Sequence, residues 1–287
     1  MVKLDKFAIE FSNIEGAYFA GQEVSGKVII ENKEPKKVSE ILLELKGRAR
    51  TYWTKHSGQS RKHCSSAEPY FCEQFNTCYT HKFSRASLDI KEGRILPEGY
   101  HEIPFSYILP KNLPTSFEGE FGFIRYTCKA TCERPWDFDI VCKKAFSVLQ
   151  PAKISECNSF ARFCCRNQGS ILAEMHLERT GFTPGESFCL NIAVRNDSYK
   201  TLKACIKFVQ TVNYKAKTFA GGEYVRSVDK VVIKKDISEI NARKSFNWNE
   251  RTIVIPSVPP ALGTCKIISI YYSLQLQVKF SIFIYYN

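Results

Sequence analysis

No stretch of this sequence is apolar for long enough to cross a bilayer. The most apolar run, Phe280–Tyr286, falls far short of the ~20 residues that a spanning helix needs. The amino terminus lacks the apolar core of a signal peptide. Residues 1–12 alternate instead, with Phe7, Ile9 and Phe11 on one side, which predicts a first strand and a cytosolic chain. No long segment carries the 3.6-residue period of an amphipathic helix. G-x-S-x-G, P-loop, G-x-G-x-x-G and H-E-x-x-H signatures are all missing, so neither an enzyme nor a cofactor is expected. Acidic residues are scarce: the net charge is +12. Residues 1–150 hold 22 Lys and Arg against 19 Asp and Glu, while residues 151–287 hold 19 against 10. An acidic partner suits such a balance, as does a merely soluble basic surface. Twelve cysteines would make a disulfide framework only in a small, secreted, loop-rich chain; several here fall inside strand patterns, so reduced thiols are expected.

What is present is alternation. In Leu109–Cys132, two Leu-Pro steps make a turn, and then Ile124, Tyr126, Cys128, Ala130 and Cys132 share one face against Arg125, Thr127, Lys129 and Thr131 on the other. Val24, Val28 and Ile30 alternate with polar residues in the same way, as do Ile41, Leu43 and Leu45 with Glu44, Lys46, Arg48 and Arg50 opposite. Further strands are expected at 88–90, 103–109, 136–142 and 145–149. The polar segment 54–82 interrupts the pattern, with a short turn or helix expected over 67–75, and residues 155–172 read as irregular. The architecture is therefore all-β.

The pattern repeats. Gly21–Asn32 matches Gly185–Asn196, and Pro110, Pro114 and Tyr126 match Pro256, Pro260 and Tyr272. Two β-sandwiches follow, because each alternating face needs a second sheet to bury it. At these residues the chain resembles the alpha-arrestins (arrestin domain-containing proteins). The resemblance is carried by Phe19–Gly26, Leu113–Gly119, Arg125-Tyr126 and Arg134-Pro135-Trp136, then by Gly181–Glu186, Asn196–Ser198, Gln210, Trp248, Ile255–Pro260 and Tyr272–Leu274. The Cys164-Cys165 pair also recurs in that family. The resemblance implies two tandem immunoglobulin-like, arrestin-type domains, residues 1–150 and 151–287. It implies a non-catalytic adaptor in trafficking and endocytosis, lying peripherally at the plasma membrane or endosomes and binding integral membrane proteins or receptors as cargo. Relatives usually carry PPxY motifs for ubiquitin ligases in a tail; none occurs in this chain, so ligase recruitment is not assigned. They also add a further apolar strand, so the second sandwich is expected to lack its last strand and leave an edge unpaired. A coat or scaffold subunit of the same fold, like the retromer-type relatives, is the alternative. A zinc or thiol protein is a third.

Two groups of residues are candidates for sites. Cys64, Cys72, Cys78 and His81 are the nearest approach to a metal set, but only Cys78-x-x-His81 has a ligand-pair spacing, so no metal is expected. Ten cations lie between Arg195 and Lys235 against Asp197, Glu223 and Asp229. Among them Lys200, Lys203, Lys207, Lys215 and Lys217 are expected to meet an anionic lipid surface or an acidic cargo tail, unless they form a solvated sheet face. Nucleic acid is not expected, because Tyr126 and Tyr272 fall on apolar phases rather than among the cations.

Overall fold

The computed structural model describes residues 4–57, 60–85, 93–150, 159–165, 169–177 and 182–280. Contacts divide the chain into two compact units. The first comprises residues 1–150 with 214–226 and 262–269; the second comprises 151–213, 227–261 and 270–287. The division expected at residue 150 thus differs in two segments, which the second half contributes to the first unit.

The first unit holds β1 (Lys6–Phe11), β2 (Ala17–Phe19), β3 (Glu23–Asn32), β4 (Lys36–Val38), β5 (Ile41–Ser57), β6 (Ser60–Asn76), β7 (Arg94–Leu96), β8 (Gly99–Ile108), β9 (Phe117–Gly119), β10 (Gly122–Cys132) and β11 (Ile140–Leu149). One sheet runs β1-β3-β8, and the other β6-β5-β10-β11-β2, with β9 against β10. Alternation decides the core: Ile41, Leu43, Leu45, Ile124, Tyr126, Cys128, Ala130 and Cys132 are all buried, while their odd-phase neighbours face out. Ring contacts among Phe11, Tyr18, Phe105 and Phe146 close the space between the sheets.

The second unit holds β12 (Ser159–Cys165), β13 (Gly169–Leu177), β14 (Ser187–Asn196), β15 (Leu202–Thr218), β16 (Glu223–Ile240), β17 (Lys244–Val254) and β18 (Ile268–Phe280), less the strand ends assigned to the first. One sheet is β12-β13-β14-β17, and β15 pairs with both β16 and β18. Its core gathers Leu190, Ile192, Val194, Leu202, Ala204 and Ile206, with Leu274, Leu276 and Val278 packed against them.

The internal repeat extends to backbone detail. Gly21 and Gly185 sit at φ of +86° and +85°, a region that glycine enters without strain. Asn32 is buried and its Nδ2 donates to the Glu34 and Pro97 carbonyls; Asn196, also buried, donates to those of Lys200, Ile240 and Asn241. Tyr126 Oη donates to the Pro114 carbonyl at 2.7 Å, and Tyr272 Oη to that of Pro259.

Three local expectations are corrected. Residues 54–82 are not an irregular insertion: β5 and β6 form one long hairpin, paired from Leu42–Asn76 to Ser57–Ser60, and among the described residues the only helical turn is 3₁₀, at Tyr79–Lys82. Its polarity misleads because both faces lie near solvent towards the tip. Residues 159–165 and 169–177 are strands rather than irregular chain. Trp136–Asp139 is a loop, and β11 begins only at Ile140. The expected strand at 88–90 and the expected loss of a last strand beyond residue 280 both concern chain outside the described residues.

Candidate functional site

Strand register decides which cations meet. Away from the core, β5 presents Glu44, Lys46, Arg48 and Arg50, while β10 presents Arg125, Thr127 and Lys129, and β11 presents Lys143. Arg48 lies directly opposite Arg125 across β5–β10, and Lys129 directly opposite Lys143 across β10–β11. Side chains so placed are ~4.5–5.5 Å apart at Cβ, and like charges there repel. At the other edge Lys217, contributed by the end of β15, is opposite Ser65 of β6, which is opposite Tyr52 of β5. Lys215 lies two residues earlier on the same face, so the cations extend across five strands of one unit.

Two acids lie among them, Glu44 directly opposite Lys129 across β5–β10, and Glu118. Glu118 grips Arg125 with two bonds, Nε to Oε1 at 2.5 Å and Nη2 to Oε2 at 2.7 Å, and raises its pKa further. Arg125 also lies 3.9 Å over the Phe123 ring. Among the described residues, Lys46, Arg48, Lys129, Lys143, Lys215 and Lys217 have no carboxylate partner within ion-pair reach. A hollow of ≈ 130 Å³ opens among Glu44, Lys46, Arg48, Phe123, Arg125, Thr127 and Lys143, four cations and one carboxylate. Open guanidinium and ammonium groups on a rigid sheet bind carboxylates or phosphates.

The residues expected from the sequence divide between the two units. Lys215 and Lys217 join the face just described, whereas Lys200, Lys203 and Lys207 belong to the second unit. There Lys203 and Lys207 line a groove of ≈ 750 Å³ with Lys234 and Lys279. Lys203 is tied to Glu239 at 2.7 Å and Lys234 to Asp236 at 3.5 Å. Lys200 Nζ lies 5.9 Å over the Phe280 ring.

The candidate metal residues are not brought together. Cys64 is buried opposite Trp53, Cys72 is exposed opposite Lys46, and eight residues of one strand part them by ~26 Å. His81 Nε2 is 3.0 Å from Glu40. Among the described residues no group of three or more His, Cys, Asp or Glu is gathered as a metal site would need. Lys46, Arg48, Arg125, Lys129 and Lys143 are visible in the sequence as polar phases of separate strands. Their convergence depends on pairing, which no single strand encodes.

Residues 7–155 match the family model of the arrestin (or S-antigen) N-terminal domain, and residues 167–285 that of the C-terminal domain. The chain is 57% identical over 291 residues to arrestin domain-containing protein 17 of Caenorhabditis elegans, covering 97% of this chain and 68% of that protein. It is 28% identical over 287 residues to human arrestin domain-containing protein 4 (92% and 64%), and 29% identical over 211 residues to human arrestin domain-containing protein 1 (69% and 47%). The chain therefore spans about two thirds or less of the length of these relatives.

Proposed function

Since the chain belongs to the arrestin family, in its arrestin domain-containing branch, we propose that it is a non-catalytic adaptor holding acidic cytoplasmic segments of integral membrane proteins. The reading puts the work at the plasma membrane or endosomes, in endocytosis or sorting. One observation carries it: the outer sheet face of the first unit sets Arg48 against Arg125 and Lys129 against Lys143, and its cations outnumber the two acids among them, Glu44 and Glu118. Such an arrangement costs stability in the free protein and is relieved when an anion is bound. Lys46→Glu with Arg48→Glu is expected to weaken binding of a glutamate-rich peptide about tenfold or more, measured by fluorescence anisotropy. Unchanged affinity would count against the proposal.

The groove in the second unit supports a second contact, with anionic lipid headgroups, through Lys203, Lys207 and Lys279. Lys203→Glu with Lys207→Glu should then reduce sedimentation with phosphatidylserine vesicles. A coat or scaffold subunit of the same fold would instead co-purify with fixed partners in constant stoichiometry.

A further inference from the structure

Two hairpins, β5–β6 and β15–β16, end at the same corner of the first unit. Lys217 of β15 lies opposite Ser65 of β6, and Thr218 opposite Cys64. The antiparallel register therefore carries the turn at 219–221 level with His63, Lys62 and Arg61.

That turn is closely built. The Thr218 N–H donates to the Gly222 carbonyl at 2.9 Å, and the Gly221 N–H to the Thr218 carbonyl at 2.9 Å. The Gly222 N–H adds a bond to Thr218 Oγ1 at 3.1 Å. Turns of this kind are ordinarily tipped by small polar residues or glycine. Here the tip is Phe219, 108% exposed, more than any other large apolar side chain among the described residues. Across β6 the Tyr52 ring is also exposed, stacked on that of His63.

The charge around these rings has one sign. Residues 51–67 contain Lys55, Arg61 and Lys62 and no acid; residues 214–226 contain Lys215, Lys217 and Arg226 and only Glu223. Lys55 and Lys62 lie opposite one another on one face of the β5–β6 hairpin, while Arg61 shares the other face with Lys217. Lys55 Nζ lies 4.1 Å over the Tyr224 ring, and Arg226 lies 3.7 Å over that of Phe121. Among the described residues none of the six cations has a carboxylate partner.

We infer that this corner docks on an anionic bilayer. Phe219 enters the interfacial layer, and Lys55, Arg61, Lys62 and Lys217 lie among the headgroups. Cations on both faces suit a surface of headgroups that closes around the turn, whereas an acidic peptide laid on the sheet meets one face only. Each cation held near an anionic surface strengthens binding about fivefold, and the phenyl ring gains by leaving water. A second copy is the poorer occupant, because it would bring the same cations against their own kind. The inference rests on the membrane location proposed above, and it assigns the contact to residues other than those of the second unit's groove.

The full chain is sedimented with vesicles of phosphatidylcholine and phosphatidylserine at about 3:1, and with vesicles of phosphatidylcholine alone. The mixed vesicles should bind it and the neutral ones should lose most of that binding. Phe219→Ser should weaken sedimentation about fivefold or more, while Phe219→Leu keeps most of it. Lys62→Glu should weaken it about tenfold or more. Both side chains are exposed, so the thermal midpoint should not move. Lipids brominated along their acyl chains should quench the emission that Phe219→Trp adds to the unaltered chain. Undiminished sedimentation of Phe219→Ser, or no quenching of the added emission, would overturn the inference. If Lys203→Glu/Lys207→Glu abolishes sedimentation and Phe219→Ser does not, the docking corner falls and the groove stands; the reverse result leaves the corner standing and the groove refuted. A chain that binds neither vesicle refutes both. Phe219→Ser that weakens the glutamate-rich peptide but not the vesicles gives the turn to cargo, and one that dissolves a dimer gives it to a second copy; either overturns the inference.

Discussion

Gly47 lies opposite Tyr126 across β5–β10, and a Cβ there would fall 2.7 Å from the tyrosine ring and 2.6 Å from Phe71. The two rings stack over it with centroids 6.0 Å apart. Gly47→Ala is therefore expected to cost ~1–3 kcal/mol through overpacking, read as a lower urea midpoint with unchanged slope. Cys128 and Cys132 face the same interior, and burial pushes each thiol up to about 12. Alkylation of the folded protein at mild alkaline pH should thus label exposed Cys72 and Cys78 well before either. Early modification of Cys128 would contradict the packing. These inward positions were legible in the alternation from Ile124 to Cys132, because burial in a half-buried strand follows parity. Trp136 was not: parity placed it in a strand, whereas Pro135 and the bond from Arg134 to the Phe138 carbonyl turn it into an exposed loop.

At the scale of elements, the 3₁₀ turn Tyr79–Lys82 is docked by one carboxylate. Glu40 accepts from Thr80 Oγ1 at 3.0 Å and lies 3.0 Å from His81 Nε2. Burial acts to raise its pKa, but hydrogen bonds from Asn76, His81 and Thr80 outweigh that, so the carboxyl sits below its ordinary value. A depressed folded-state pKa contributes stability at pH above the ordinary value, lost as pH falls through the folded value. Urea stability should therefore fall less steeply with acid in Glu40→Gln than in the unaltered chain; parallel curves would refute the role. The β5–β6 hairpin that precedes this turn was hidden from the sequence because its outer half is polar on both faces, leaving no hydrophobic period to read. The basic face was half legible for a related reason. Alternation put Lys46, Arg48 and Arg125 outward, but only register sets them side by side.

Across the whole molecule, the second half of the chain completes the first unit. Tyr214 is buried edge-on to Phe121 with centroids 5.7 Å apart, Thr51 Oγ1 donates to the Lys215 carbonyl at 2.6 Å, and the Lys266 N–H donates to Glu68 at 2.8 Å. Ile268 is buried there too. A fragment of residues 1–150 is therefore expected to melt below the full chain and to aggregate, seen by light scattering and dye binding to exposed apolar surface. A monodisperse fragment of equal stability would show that these segments contribute nothing. The duplicated sandwich itself was legible, since Gly21, Asn32 and Tyr126 recur as Gly185, Asn196 and Tyr272. The segments 214–226 and 262–269 were not, because their partners lie some 90 to 200 positions earlier in the chain.

That arrangement sets a timetable for synthesis. The ribosome releases residues 1–150 long before Tyr214 and Ile268 exist, and at ~5–20 residues per second the wait is roughly ten seconds. Throughout it, β6 has no strand on its outer side, and the nascent chain offers the β5–β6 hairpin to whatever binds it first. Chaperone occupancy of ribosome-bound chains should then persist until Ile268 has cleared the ribosome, and a premature stop shortly before Tyr214 should be degraded faster than the full chain.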